Sequence, residues 1–256
     1  MIEEALNMVT QFDDNMSNRL DALEALKTGR NSNAFIEVPS LPKDLLGAVY
    51  DGYVAVPNGW QPIRGRDISD CIQMYRSQRL FWPLQAHADE FHIEDVAFSL
   101  SRQIRFIGQT GTPYNVAWHS VALSYVVPDE LKKWALIHDA AEGYISDVCR
   151  PIKKLPAFDE FVKAEAALMV VAAEHFGMAE SVQPDTLEEY DAMMGTVELY
   201  HNQGDIGIAK LNSLMHDPHH EFSRPEYKDW KELVVDSPNM NASEGLWLKR
   251  HKELFS

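Results

Sequence analysis

Apolar residues recur at irregular three- and four-residue intervals from Leu6 to Leu26, up to Gly29 and Asn31, so residues 1–30 read as helix. From Asn33 to about Asp67 the texture changes. Pro39, Pro42, Gly47, Gly52, Pro57, Gly59, Pro62 and Gly65 cut every apolar run, which predicts loops and at most short strands. Tyr50, Tyr53 and Trp60 give this stretch side chains to pack with, and it reads as an ordered arm on the main domain.

After residue 68 the chain becomes a succession of helix-period segments. Residues 93–107 place Ile93, Val96, Ala97, Leu100 and Ile104 on one stripe, with acids in the first turn. A second segment, 113–127, opens at Pro113, a favoured first helical position. A third runs from Pro128 to Ser146, a fourth from Ala157 to Phe176 before Gly177, a fifth from Pro184 to about Tyr200, and a last from about Ser243 to Phe255. Strand signals are sparse. The expected fold is all-α: a helical bundle over residues 76–256, with a C-terminal helical extension, preceded by a partly irregular N-terminal extension over 1–75.

Composition narrows the class. Hydrophobic residues make up 45% of the 256, which suits a folded globular chain. The start, MIEEALNMVT, lacks the basic and apolar regions of a secretory signal, and no window approaches eighteen consecutive apolar residues. Cys71 and Cys149 are too few for a disulfide scaffold and read as free thiols in a reducing cytoplasm. Net charge is -16, from 39 acidic and 23 basic residues. Such a surface repels duplex nucleic acid at long range, so no polynucleotide partner is expected and no membrane. Small anions are still admissible, because a local cluster of donors or a metal suffices for them.

Against that background one cluster stands out. At about 100° per residue, Asp139 and Glu142 lie about 100° and about 40° around a helix from His138, in the arc that also holds Ala135 and Ile145. That arc otherwise faces the core. Burying an imidazole beside two carboxylates is costly unless a cation compensates them, and a divalent metal accepts both donor types. The same conflict recurs twice. His119 shares a stripe with Val116, Leu123 and Val126, and Asp191 shares one with Leu187 and Met194. Singly, each is more simply a hydrogen-bonded core residue or a solvated edge; together they point to a metal centre.

The order of these residues resembles the H…HD…D signature of HD-domain metal-dependent phosphohydrolases. The likeness extends to Arg105-Phe106, twelve residues before His119-Ser120, and to the run ALIHDAAEGYISDVCRPIKK over residues 135–154. It is similar to the bacterial and phage subgroup related to 5′-deoxynucleotidases, which reads H-D-A-x-E…D-x-x-x-P-x-K and neighbours the phage enzymes that remove the whole triphosphate of dATP. The match spans roughly Phe81 to Tyr200, somewhat under half of the chain.

This resemblance implies an HD-domain bundle and one divalent ion (Mn, Co, Zn, Ni, Fe or Mg) held by His119, His138, Asp139 and Asp191. Glu142 would be the acid or base for the attacking water, and Asp147 would sit near the sugar or that water. Arg105, Lys153 and Arg150 would hold phosphate, with Phe106 and Pro151 by the base. The expected reaction is hydrolysis of a (deoxy)nucleotide 5′-phosphoester to nucleoside and phosphate, or of a dNTP to deoxynucleoside and triphosphate. A homo-oligomer, dimer or hexamer, is expected on the same ground. Competing readings are a diiron HD oxygenase, which would need histidines beyond His175 between Asp139 and Asp191, and a nucleotide-binding regulatory domain without catalysis.

Overall fold

In the computed structural model, the residues described are 16–39, 41–202, the single positions 204, 205, 207, 209, 213 and 230, and 238–256. The chain forms two compact units, Met1–Ala86 and His87–Ser256.

The first unit corrects the all-α expectation: the protein is mixed α and β. Helix α1 (Met16–Gly29) is followed by strands β1 (Ile36–Glu37), β2 (Val49–Tyr50), β3 (Tyr53–Val56) and β4 (Gly59–Pro62), an antiparallel sheet ordered β1-β4-β3-β2. A two-stranded sheet of β5 (Ile72–Gln73) and β6 (Leu80–Phe81) follows. Most of the prolines and glycines that suggested loops fall between these strands, while Gly59 and Pro62 are the first and last residues of β4. Asp51 and Gly52, with φ of 47° and 82°, make the two-residue connection between paired Tyr50 and Tyr53, the backbone that Asp-Gly favours. At Gly59 only a glycine fits, since a Cβ there would stand 2.0 Å from the Ile36 carbonyl oxygen of the adjacent strand. Every residue of β3 and β4 is buried, so no in–out alternation marks them. Their core joins Ala22, Leu23 and Leu26 of α1 to Val38, Leu41, Leu45, Tyr53, Ala55 and Trp60. The Trp60 indole N–H donates to the Ala22 carbonyl at 2.8 Å. The part of the expected N-terminal helix before Met16 lies outside the described residues.

The second unit is helical, apart from one bridge between Ile104 and Asn115, as far as its described residues go. It contains α2 (Ile93–Leu100), α3 (Val116–Val126), α4 (Lys132–Ile137), α5 (Glu142–Ile145), α6 (Arg150–Lys153), α7 (Asp159–His175), α8 (Asp185–Asn202) and α9 (Met240–Phe255). Two departures from the expected segments shape the site. The 93–107 helix stops at Leu100, and Phe106, Ile107 and Gly108 form a left-handed turn with φ of 57°, 55° and 71°. Also, the 128–146 segment is broken at His138, as described below.

Helix α9 packs against α2, α3 and α4. Trp247 is fully buried and donates from Nε1 to the Leu136 carbonyl at 3.2 Å; Arg250 donates from Nε and Nη2 to the hydroxyl and carbonyl of Ser124, each at 2.9 Å. The C-terminal segment is thus part of the same core. Trp247→Ala is expected to cost about 3–5 kcal/mol, the usual loss for deleting a buried tryptophan side chain. Urea unfolding should show a lower midpoint at unchanged slope; an unshifted midpoint would remove α9 from the core. Among the described residues no helix is long and apolar enough to cross a membrane.

Candidate metal centre

Helix α3 starts where the Asn115 side chain accepts from the Trp118 amide at 2.9 Å, and its second turn carries His119, which has no solvent exposure. His138 follows the last residue of α4. From there the backbone tightens: the amides of Ala140, Glu142, Gly143 and Tyr144 each bond the carbonyl three residues back. Side chains three apart eclipse in such a turn, so Asp139 and Glu142 stack on one line rather than about 60° apart. The break therefore sharpens the convergence that a regular helix would give. Asp191 comes from the middle of α8.

These pieces meet. His119 Nε2 lies 3.3 Å from His138 Nε2 and 3.1 Å from Asp191 Oδ1, and His138 Nε2 lies 3.2 Å from Asp139 Oδ2. His119, His138 and Asp139 each offer a ligand atom within 4.8 Å of the others. The outer nitrogens are already committed. His138 Nδ1–H donates to the Ala135 carbonyl at 2.9 Å, and His119 Nδ1–H donates to Glu198 Oε1 at 2.7 Å, since both partners only accept there. Each ring thus turns its Nε2 toward the other. Two lone pairs at that distance repel unless a cation or a proton stands between them. Nitrogens sharing one ion at about 2.0–2.1 Å would be separated by roughly 3 Å, so the group could hold a metal ion.

Charged groups surround it. Arg105 is partly buried, with Nε 3.2 Å from Glu198 Oε2 and Nη1 3.8 Å from Asp139 Oδ2. Burial opposes its charge, but Glu198, Asp139, Asp191 and Glu142 outweigh that and hold it protonated. Burial and Arg105 pull the His119 pKa down, yet Glu198 and the hydrogen bonds to Asp191 and Glu198 push it up to about 9. Burial would raise Asp191, but the His119 bond and the charges of His119, His138 and Arg105 hold it well below the usual carboxylate range. Glu142 goes the other way: burial, Asp139 and Asp147 push it up to about 9 against Lys153 and Arg105. Its Oε2 is buried without a hydrogen-bond partner.

A pH dependence follows for the metal-free protein. His119 binds a proton more tightly folded than its usual 6.5, so its contribution is complete below that pH and lost as pH rises through about 9. Glu142 acts with the same sign, from 4.5 to about 9, whereas the depressed Asp191 contributes fully throughout that interval. With EDTA present, the melting temperature should fall between pH 6.5 and 9, since both groups lose their protons' contribution over that interval. A metal must displace the His119 proton, so the melting-temperature gain on adding Mn²⁺ should grow over the same interval. A metal-free curve that rises there would contradict this.

The remaining expected residues lie close by. Arg150 Nη2 reaches Asp191 Oδ2 at 2.7 Å, and Lys153 Nζ lies 2.7 Å from Glu165 Oε1 and 3.4 Å from Glu142 Oε1. Asp147, Phe106 and Pro151 line a chamber of about 750 Å³ together with Arg105, Gly195 and Tyr200. A chamber of about 650 Å³ is bounded by Trp134, Met169, Val170, Glu165 and Glu188, and Asp139, Glu142 and Asp191 line both. His175 is engaged elsewhere, donating from Nδ1 to the Ala88 carbonyl at 2.8 Å and stacking on Phe91.

Three contributors were not foreseen. Glu198 is fully buried one heptad after Asp191, and i,i+7 spacing on a helix was a usable signal for it. Gly195, between them on the same face, leaves room for Arg105: a Cβ there would lie 3.4 Å from Nη2. Gln103 donates to the Glu142 carbonyl at 2.6 Å and accepts from the Asp147 amide at 2.8 Å, clamping both ends of the 142–147 segment. Its position after the end of α2 left no periodicity by which to find it.

No family model matches the chain. A protein of Escherichia coli strain K12, named only as the uncharacterized protein YfdR, is 35% identical over 102 residues, which are 40% of this chain and 56% of that protein. The chain therefore spans little more than half the length of this curated relative.

Proposed function

We propose that the protein is a metal-dependent phosphohydrolase that cleaves the 5′-phosphoester of a (deoxy)nucleotide to nucleoside and phosphate. One observation carries this reading: two imidazoles turn their Nε2 atoms to each other 3.3 Å apart, between two carboxylates and beside a partly buried arginine. The resemblance of this residue order to HD-domain phosphohydrolases supports it, with Asp191 as the fourth ligand. Imidazole and carboxylate donors suit Mn²⁺, Co²⁺, Ni²⁺, Zn²⁺, Fe²⁺ or Mg²⁺.

A bound divalent ion supplies Lewis acidity toward water and the phosphoryl oxygens. The protein's own groups do the rest. Arg105 is a fixed positive charge in a site with little water, where it stabilises charge developing on the phosphoryl group. Arg150 keeps one Asp191 oxygen occupied, so the other faces the histidines. Glu142, whose carboxyl is pushed up by burial, Asp139 and Asp147, would give a proton to the departing 5′-oxygen as water bonds to phosphorus and the P–O bond breaks, and would regain one from that water.

A dNTP triphosphohydrolase would need a second space for a polyanion. Beyond the shared wall, which includes Lys153 and Arg150, the smaller chamber adds the carboxylates Glu165 and Glu188 and, among the described residues, no lysine or arginine, which favours a monophosphate. The test is to incubate dNMPs, dNTPs and ribonucleotides with Mn²⁺, Co²⁺ or Mg²⁺ and separate the products. Nucleoside with orthophosphate is expected; nucleoside with triphosphate would give the alternative. Two irons per chain and no hydrolysis would sink both.

A further inference from the structure

We propose that Glu198 is a positioning residue that ties the metal centre to the phosphate-binding arginine. Its two carboxylate oxygens are divided between the two functions. Oε1 accepts from His119 Nδ1 at 2.7 Å, and Oε2 faces Arg105 Nε at 3.2 Å. The side chain has no solvent exposure, so water does not substitute for either contact. The Tyr114 ring, also fully buried, adds an electrostatic neighbour: burial and Glu198 push its pKa up.

The division has two consequences. First, Glu198 fixes the His119 tautomer. A carboxylate only accepts, so Nδ1 carries the proton and Nε2 is left as a ligand atom, with its basicity raised by the charge behind it. Second, Glu198 holds the Nε side of the guanidinium, which leaves the Nη groups turned toward Asp139 and the site. Gly195, one turn before Glu198 approximately, keeps the helix surface open for that side chain. Metal affinity and phosphate affinity are thereby set by one carboxylate that touches neither ligand. The metal half of this inference stands on the donor geometry; the phosphate half rests on the hydrolase reading.

The test compares Glu198→Gln with Glu198→Ala in the full chain. A glutamine carbonyl still accepts from His119, but its amide turns N–H groups toward Arg105 Nε, which is a donor as well. In Glu198→Gln, Mn²⁺ affinity measured by calorimetry should stay within about threefold of the parent, while KM for the hydrolysed nucleotide rises more than tenfold. In Glu198→Ala, Mn²⁺ affinity should drop about 10–100-fold as well. Melting temperatures recorded in EDTA separate positioning from simple support of the fold. Parent-like Mn²⁺ affinity in Glu198→Ala would overturn the proposal. So would equal loss of metal in both variants in step with a fallen melting temperature. If the parent binds Mn²⁺ yet hydrolyses no nucleotide, the proposed function fails, while the calorimetric comparison still decides the role of Glu198.

Discussion

His138→Ala should bring metal-dependent phosphate release down to the level seen in EDTA, a loss on the order of 10³-fold or more. The ring contributes one of the two facing nitrogens, and its backbone-bound Nδ1 shows that the orientation is built in before any ion arrives. Asp139→Ala should do the same by removing the carboxylate 3.2 Å from that nitrogen. The check is paired: phosphate release with saturating Mn²⁺, and melting temperature in EDTA. Full activity in either variant would refute the site, and a collapse in the metal-free melting temperature would make the result a folding effect.

Glu142→Gln is expected to separate chemistry from metal binding. Glutamine matches the neutral form that burial, Asp139 and Asp147 impose on Glu142, so fold and metal affinity should be retained. It has no proton to give, and kcat should fall by about 10²–10⁴-fold. Mn²⁺ calorimetry beside initial rates checks the split. Loss of the metal instead would move Glu142 into the ligand set, and an unchanged rate would end its role as the acid.

Much of the site was legible because its residues contradict their surroundings. His119, His138 and Asp139 are ionisable groups on apolar stripes, and that conflict survives any error of a few residues in helix boundaries. The sharp turn at His138 was not legible, since ALIHDAAEGYI carries no glycine or proline until Gly143 and suits a continuous helix. Nor was the left-handed turn at 106–108: Ile107 is β-branched and has φ of 55°, a conformation its own side chain disfavours. Such a turn is imposed by neighbours that a linear reading does not see. The sheet of the first unit escaped for another reason. Its strands are two to four residues long, and the longest two, β3 and β4, are buried on both faces, so neither length nor alternation announced them. Asp51-Gly52 was the readable clue, as a hairpin turn rather than an interruption.

The packing of α9 also bears on when the centre can form during synthesis. Residues 240–255 cover α3 and α4, the helices that carry His119 and lead into His138, and they are made after both histidines and Asp191. A nascent chain halted before Met240 has both histidines and Asp191 but lacks the Trp247 and Arg250 contacts that seat their helices. Ion capture should therefore follow the emergence of residues 240–255, later than the synthesis of the ligands themselves.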